Sequence, residues 1–205
     1  MRLSVPALAG AGALLMLVLA ACSGAPADES ASHEPLSSAQ IEALADQERE
    51  AGHEEQAAFL DDGLVTFEEY DASFVLYADC LAAKGFTVEG PQVSPVDSVR
   101  YESTTDIGTR EQSAALADID ECHAAYSTSV AQAYELSQPQ VMDPPLAQAT
   151  ADCLTEKGLP GSGEETAVAD FIDSVGEGED DEVTACVLDE AARLYPEMTS
   201  LSVGY

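Results

Sequence analysis

Two nine-residue segments of this chain are nearly identical, and each contains a cysteine close to the end of a predicted helix. Residues 78–86 read ADCLAAKGF and residues 151–159 read ADCLTEKGL, so that six of the nine positions agree. The glycine after the lysine is typical of a helix C-terminus, where glycine adopts the left-handed conformation at low cost. Each copy is followed by a connection of different length and then by a second predicted helix with a cysteine on its apolar face, Cys122 or Cys186. The chain is therefore predicted to contain two related helix-pair units.

The N-terminal residues have the pattern of a secretory signal. A basic start precedes an apolar stretch from residue 5 to residue 19, followed by Ala20 and Ala21. A charged start, an apolar segment and small residues before a cleavage point are the three parts of a signal peptide. The apolar stretch is shorter than the ~20 residues that a membrane-spanning helix needs. We therefore expect residues 1–21 to be a signal peptide.

The sequence Leu19-Ala20-Ala21-Cys22 resembles the lipobox of bacterial lipoproteins. This resemblance implies lipidation of the Cys22 thiol, cleavage before Cys22 and further acylation, for example by palmitate, at the new amino terminus. Two lipid chains are what stable anchoring to a membrane requires. The expected location is the extracytoplasmic face of the cell membrane. The alternative is an ordinary cleaved signal that is followed by an unrelated cysteine.

The charge of the chain is strongly negative. Asp and Glu number 39 against 7 Lys and Arg, which gives a net charge of −32. Such a surface repels phosphate backbones, so nucleic acid is not an expected partner. It also disfavours direct contact with anionic lipid head groups. The simplest interpretation is a solvated exterior, and cation binding and adaptation to salt are the alternatives.

Four cysteines remain when Cys22 is set aside. An even number of cysteines in an exported chain favours disulfides. The duplicated units predict the pairs Cys80–Cys122 and Cys153–Cys186, although the sequence leaves the other two pairings open. A cysteine-rich metal site is disfavoured because the chain has no closely spaced Cys-x-x-Cys pair.

The predicted fold class is mainly α, a small helical domain braced by disulfides. Residues 22–35 read as a disordered tether and residues 36–195 as the helical domain, with units at about 66–137 and 143–195 and a loose C-terminal tail at 196–205. Capping boxes mark helix starts at Ser37 and Thr66. The first helix either packs weakly or breaks near Gly52. A long helix is expected over about 110–136.

The remaining elements are predicted from local signals. Residues 86–109 contain short β-prone stretches around Gly90-Pro91, which fit a hairpin or an irregular loop. Asp143-Pro144-Pro145 begins a further helix that ends at Lys157. Ser162 is expected to cap a helix that reaches about Val175, and the last helix is expected over about 181–194.

The segment from Asp62 to Tyr70, followed by Cys80 to Gly85, resembles uncharacterised secreted and lipid-anchored proteins of high-GC Gram-positive bacteria. These proteins share an Asp-Gly-x-Val-Thr-x-x-Glu-Tyr pattern before a helix that ends in Cys-Leu-x-x-x-Gly. The resemblance implies a family without an assigned activity, so it bears on location and fold more than on function.

Residues 58–69 are only partly similar to a calcium-binding loop. Asp62-Gly63 and Glu69 fit its later positions, but Ala58 and Leu60 stand where the first and third ligands would be needed. The acidic loop 176–182 can be interpreted as a weak cation site or as a solvated loop. No metal site is therefore predicted.

No catalytic site is predicted either. His53-Glu54 begins like a zinc-protease helix, but Ala57 stands where the second histidine would be. His33 and His123 are isolated, and no nucleophile elbow or phosphate loop is present. We therefore expect a non-catalytic interaction or accessory domain without a cofactor. A cation- or small-ligand-binding lipoprotein and, less favoured, an extracytoplasmic hydrolase are the alternatives.

Overall fold

The computed structural model of the protein describes residues 35–204. The predicted signal peptide, Cys22 and residues 23–34 of the predicted tether lie outside the described residues. Within residues 35–204 the chain forms eight helices and one two-stranded sheet, which confirms the mainly α fold class. The elements are α1 (Ser38–Ala51), α2 (Glu54–Leu60), α3 (Phe67–Ala83), β1 (Thr87–Val93), β2 (Tyr101–Asp106), α4 (Gln112–Tyr126), α5 (Thr128–Glu135), α6 (Pro144–Glu156), α7 (Val168–Val175) and α8 (Asp180–Leu194).

The first two helices are separated by a break at Gly52. The side chain of Gln40 accepts a hydrogen bond from the Ser37 backbone at 2.9 Å, as a capping box requires. Gly52 has a φ of +86°, a left-handed conformation that ends α1. Of the two possibilities that the sequence left open, a weakly packed helix or a break near Gly52, the structure shows the break.

The duplicated segment has the same backbone structure in both copies. Gly85 and Gly158 have φ values of +82° and +80°. The Phe86 N–H donates to Leu81 at 3.0 Å, and the Leu159 N–H donates to Leu154 at 2.9 Å. Each bond runs from the residue after the glycine back across the last helical turn, which is the pattern of a Schellman motif. The repeated Lys-Gly is therefore a helix terminator in both units.

The segment between α3 and α4 contains an antiparallel hairpin, as one of the two interpretations predicted. Thr87 pairs with Asp106 at one end and Val93 with Tyr101 at the other. The register shifts between Glu89 and Gln92, so that the ladder contains a bulge next to Gly90. The turn that joins the strands is held by Asp97, which accepts hydrogen bonds from the backbone of Val99 and Arg100.

The prediction of one long helix over about 110–136 is wrong. Two helices, α4 and α5, meet at Ser127 instead. The Gln56 side chain lies at this junction and is fully buried. Its Nε2 donates to the Ala124 carbonyl, and its Oε1 accepts from the Ser129 N–H at 2.8 Å and from the Val130 N–H at 3.4 Å. A side chain from α2 therefore satisfies backbone groups at the end of α4 and the start of α5.

The start of the seventh helix was also predicted too early. Ser162 and Glu165 do form a turn, in which Glu165 accepts from the Ser162 N–H at 3.1 Å. The helix begins only at Val168, where Asp170 accepts hydrogen bonds from the Ala167 N–H and the Thr166 N–H. The capping pattern in the sequence thus marks a turn ahead of the helix.

Three hydrophobic clusters fill the described body. The first joins α1, α2, α3 and α5 around Ile41, Leu60 and Val130. The second joins α3, β1 and α4 around Leu81 and Cys122. The third joins α6, α7 and α8, and its buried members are Val96, Met142, Leu146, Ala147, Ala151, Leu154, Val168, Phe171, Val183, Cys186, Val187 and Ala191.

The segment after α8 is not a loose tail. Leu201 and Val203 pack against the third cluster. The Ser202 N–H donates to Glu102 on β2 at 3.0 Å, and the Thr199 hydroxyl lies 2.8 Å from that of Thr104. Alternating apolar and polar residues let this segment bury one side and pair the other with β2, and the sequence analysis missed that alternation.

Candidate functional site

Both disulfides join a helix end to the helix that follows it within the same unit. Cys80 is bonded to Cys122 and Cys153 to Cys186, which confirms the predicted pairs. The Cα atoms are 5.8 Å apart in each bridge, and Cys122 and Cys186 are fully buried. Cys22, the predicted lipidation site, lies outside the described residues.

The repeated lysine makes the same kind of ion pair in both units. The Lys84 Nζ lies 2.9 Å from Asp118 and 2.9 Å from Glu121, both on α4. The Lys157 Nζ lies 2.6 Å from Glu182 on α8. Asp118 and Glu182 each stand four residues before the second cysteine of their unit, a spacing that the sequence analysis overlooked. These hydrogen bonds raise the pKa of Lys84.

The basic side chains of the described region are all engaged within the chain. Besides the two lysines, Arg49 pairs with Asp46 and Asp61, Arg100 pairs with Asp97, and Arg193 pairs with Glu190. The sixth, Arg110, lies 4.2 Å above the ring of Phe86 and donates to the Lys84 carbonyl. The carboxylates that remain at the surface therefore have no basic side chains left to neutralise them within residues 35–204.

Three tyrosines from three different elements stack on one another. Tyr70 on α3 is stacked against Tyr101 on β2 at 4.8 Å and against Tyr134 on α5 at 4.6 Å. Phe67 packs edge-on against Tyr101, with ring centroids 6.1 Å apart, and its ring lies 6.2 Å from that of Tyr134. Phe74 adds a further edge contact with Tyr101 at 5.4 Å. Phe67, Tyr70 and Phe74 all belong to α3, whereas Tyr101 and Tyr134 come from other elements and carry no local signal in the sequence.

The hydroxyl groups of this cluster are held by backbone and carboxylate groups. The Tyr70 hydroxyl accepts from the Tyr101 N–H at 2.8 Å and donates to Glu135 at 3.2 Å, while the Tyr101 hydroxyl donates to Asp71 at 2.8 Å. Burial raises the pKa of Tyr70 far above its usual value. Burial and the bond to Asp71 raise the pKa of Tyr101 to about 12. Burial also raises the pKa of the Glu135 carboxyl.

A second polar network, around Glu48, has the residue types of a hydrolase but the wrong connectivity. The Ser129 hydroxyl donates to the Oε1 of Glu48, and the Nδ1 of His53 lies 2.6 Å from its Oε2. In a catalytic triad the histidine must contact the serine so that it can take the hydroxyl proton. Here the carboxylate stands between the two residues, and the network joins α1 to α5.

The other side chains that were weighed as possible ligands or catalytic groups, and not predicted as such, are separate from one another in the structure. The Oδ1 of Asp62 accepts from the Leu64 N–H, and Glu69 accepts from the Thr66 N–H at 2.8 Å. His123 lies against Tyr77, and burial lowers the pKa of its imidazole. No group of three or more Asp, Glu, His or Cys side chains in the described part of the chain is arranged to hold a metal ion.

Two adjoining clefts are lined by residues of the hairpin and of the segment after α8. The larger, of about 270 Å³, is lined by residues of the hairpin turn together with Asp143, Tyr195 and Glu197. The smaller, of about 90 Å³, includes Glu102. Both clefts are shallow and share Gln92, Glu197 and Met198 in their walls.

No protein-family model, curated protein or solved structure matches this chain. None of the helices between residues 35 and 204 is long and apolar enough to cross a bilayer.

Proposed function

We propose that the protein is a lipid-anchored extracytoplasmic protein whose helical domain binds a partner without catalysing a reaction. Cys22 would carry the lipid and residues 23–34 would tether the domain to the membrane. The observation that carries the proposal is the pairing of the four cysteines within residues 35–204 with one another, so that the disulfides of the domain do not require Cys22.

The disulfides support a location outside the cytoplasm. Disulfides persist in oxidising compartments and are rare where thiol reductants are abundant. The bonds close loops with sequence separations of 42 and 33 residues, which is the arrangement expected of structural crosslinks. An exported domain with a single additional cysteine directly after Leu19-Ala20-Ala21 fits the lipobox interpretation better than it fits an unrelated thiol.

The contacts that the buried polar groups make support a binding role rather than catalysis. Asp97 is occupied by Arg100 and by two backbone N–H groups, and Glu48 is occupied by Ser129 and His53. The Asp97 network holds the turn of the hairpin, and the Glu48 network joins α1 to α5. What the domain offers to other molecules is a carboxylate-rich surface with a few exposed apolar side chains.

Replacement of Cys22 tests the anchor. The variant Cys22→Ala should lose incorporation of labelled palmitate and should not mature to the size of the lipidated protein. Ser23→Ala is the matched control and should behave like the wild type in both respects. Continued lipid labelling of Cys22→Ala, or a wild type that takes up no label, would refute the proposed anchor.

The clefts beside the hairpin favour a second candidate function, binding of a small ligand. Their walls combine Glu102, Asp143 and Glu197 with the ring of Tyr195, which is the chemistry that would suit an organic cation. A bound ligand raises the melting temperature by mass action. A panel of amines, amino acids and divalent cations should therefore contain at least one compound that shifts the melting temperature. A complete absence of shifts would argue against this candidate.

A further inference from the structure

Two of the most exposed large apolar side chains lie three residues apart at the start of α3. Leu64 is 55 % exposed and Phe67 is 49 % exposed. They stand on either side of Thr66, which caps the helix. We call Leu64, Phe67 and the partly exposed rings of Tyr101 and Tyr134 the aromatic patch.

The aromatic patch has a rigid base. Phe67 contacts Tyr101 and Tyr134, and both of these rings stack on the buried Tyr70. A ring that is already held in place loses little conformational freedom when a partner covers it, which is a property of the anchor residues in protein interfaces. The patch is thus preorganised for contact.

Three carboxylates adjoin members of the aromatic patch, in the sequence or by a hydrogen bond. Glu68 adjoins Phe67, Asp71 accepts the Tyr101 hydroxyl, and Glu135 adjoins Tyr134. Within residues 35–204 none of these three carboxylates lies within 4.0 Å of a lysine or arginine nitrogen. Aromatic faces and carboxylates both attract ammonium and guanidinium groups. The patch is therefore complementary to an apolar surface that also carries cationic side chains.

The patch lies beside the point where the chain enters the described body. Leu36 packs against the cluster that contains Tyr70. The backbone of Gly63 is so close to α1 that an added Cβ would lie 2.7 Å from the Cβ of Ser38. Twelve residues, 23–34, separate Cys22 from this region. Twelve residues reach at most about 40 Å even when fully extended, so the proposed lipid anchor would keep the patch within that reach of the membrane.

Three other occupants fit the patch poorly. Residues 23–34 contain no large apolar side chain and three carboxylates, so the tether would be repelled by the rim. A second copy of the chain would bring the same net charge of −32. Anionic lipid head groups would meet the same repulsion. A different protein with positive charge around an apolar anchor avoids all three difficulties.

We infer that the aromatic patch is the docking surface for a membrane-proximal protein segment that presents an apolar residue flanked by lysine or arginine. The inference rests on the proposed function and specifies its partner. Phe67 and Leu64 supply the apolar contact, and Glu68 and Asp71 supply the complementary charge.

Site-specific photocrosslinking tests this inference in the lipidated full-length protein in its own membrane. A benzophenone amino acid replaces Leu64 in one variant and Leu116, which is 48 % exposed on α4, in a control variant. A second comparison combines the position-64 crosslinker with Glu68→Gln and Asp71→Asn. Its matched control carries Glu177→Gln and Asp180→Asn in the acidic loop, a change of equal charge elsewhere.

The expected result is one protein adduct from position 64 and none from position 116, with lysine or arginine close to the crosslinked residue of the partner peptide. The yield should fall by about fivefold or more in the rim variant, as expected for the loss of two partly exposed charge contacts, and should not fall in the loop control. Adducts to lipid, to residues 23–34 or to a second copy would overturn the inference, as would equal adducts from both positions or no adduct.

Fractionation of the same cells separates this inference from the proposed anchor. Recovery of the protein outside the membrane fraction would refute the anchor, whereas a charge-dependent adduct at position 64 would still support the docking surface. A membrane-bound protein without any adduct would refute the docking surface and leave the anchor intact.

Discussion

Removal of either disulfide should destabilise the protein by nearly the same amount, although the two bonds lie in different hydrophobic clusters. A crosslink stabilises mainly because it limits the unfolded chain, and the effect grows with the logarithm of the loop that it closes. The sequence separations are 42 for Cys80–Cys122 and 33 for Cys153–Cys186. At 25 °C these loops correspond to about 3.9 and 3.7 kcal/mol, a difference of only ~0.2 kcal/mol.

The packing around the two disulfides should contribute similar amounts to the free energy of unfolding. In each bridge one cysteine is fully buried and its partner is half-buried, so replacement by alanine removes a comparable sulfur contact. A loss of about 4 kcal/mol is a large part of the 5–15 kcal/mol that stabilises a typical domain. It should lower the melting temperature by about 8–16 °C in a chain of this size.

The assay is urea unfolding of a parent protein that consists of residues 23–205 exported behind an ordinary cleavable signal peptide, so that the lipidation site is absent. The double variants Cys80→Ala/Cys122→Ala and Cys153→Ala/Cys186→Ala are compared with that parent, and the reduced parent serves as the reference for loss of both bonds. A cost below about 1 kcal/mol for either pair, or a more than twofold difference between them, would refute the loop-closure reasoning. Such a result would mean that packing or residual unfolded-state structure dominates.

Three further substitutions test other parts of the structure. Gln56→Met should cost about 2–5 kcal/mol in urea unfolding because buried backbone groups at the α4–α5 junction lose their partners, whereas the exposed Gln47→Met should cost almost nothing. Lys84→Met should lower the melting temperature more than Lys157→Met, since Lys84 contacts two carboxylates, and both effects should shrink in about 1 M salt. The pKa of Glu135 is raised in the folded state. Its contribution to the stability of the fold is therefore fully present below the ordinary pKa of 4.5 and is lost as the pH rises through the raised pKa. Glu135→Gln should therefore be more stable than the wild type at pH 7. The difference in the free energy of unfolding should disappear as the pH is lowered toward 4.5, and a difference that does not change with pH would contradict the raised pKa of Glu135.

The features that could be predicted from the sequence are those whose cause is local. Helix ends follow from a few neighbouring residues, and the caps at Thr66 and Gly85 were located correctly. The cysteine pairs were predictable because the duplication places each partner within its own unit. The lipidation of Cys22 stays a prediction.

The features that could not be predicted depend on residues far apart in the chain. The apolar pattern continues without interruption from α4 into α5, and the residue that allows the break, Gln56, lies 73 positions before Ser129. The tyrosine stack likewise brings together residues 70, 101 and 134 from three elements. No short stretch of sequence contains the information that these side chains meet.

The comparison of the two units indicates which parts of the domain brace it and which parts are available for recognition. The helix terminator, the disulfide and the lysine ion pair occur in both units. The aromatic residues do not, because the positions of Tyr70, Phe74 and Tyr77 relative to the first cysteine are occupied in the second unit by Asp143, Ala147 and Thr150.

Thr150 is buried with an unpaired hydroxyl in a compact core, whereas the first unit uses the corresponding face to support Phe67 and Tyr101. A half-exposed phenylalanine on a stack of tyrosines therefore occurs in the first unit alone. The docking surface that we infer would account for this asymmetry, and a purely structural role of the Phe67 ring is the alternative. We therefore expect Phe67→Ala to leave the urea midpoint nearly unchanged while it abolishes the position-64 adduct. The equally exposed Val75→Ala on the same helix should alter neither, and a Phe67→Ala protein that unfolds much more readily would show that the ring serves the fold instead.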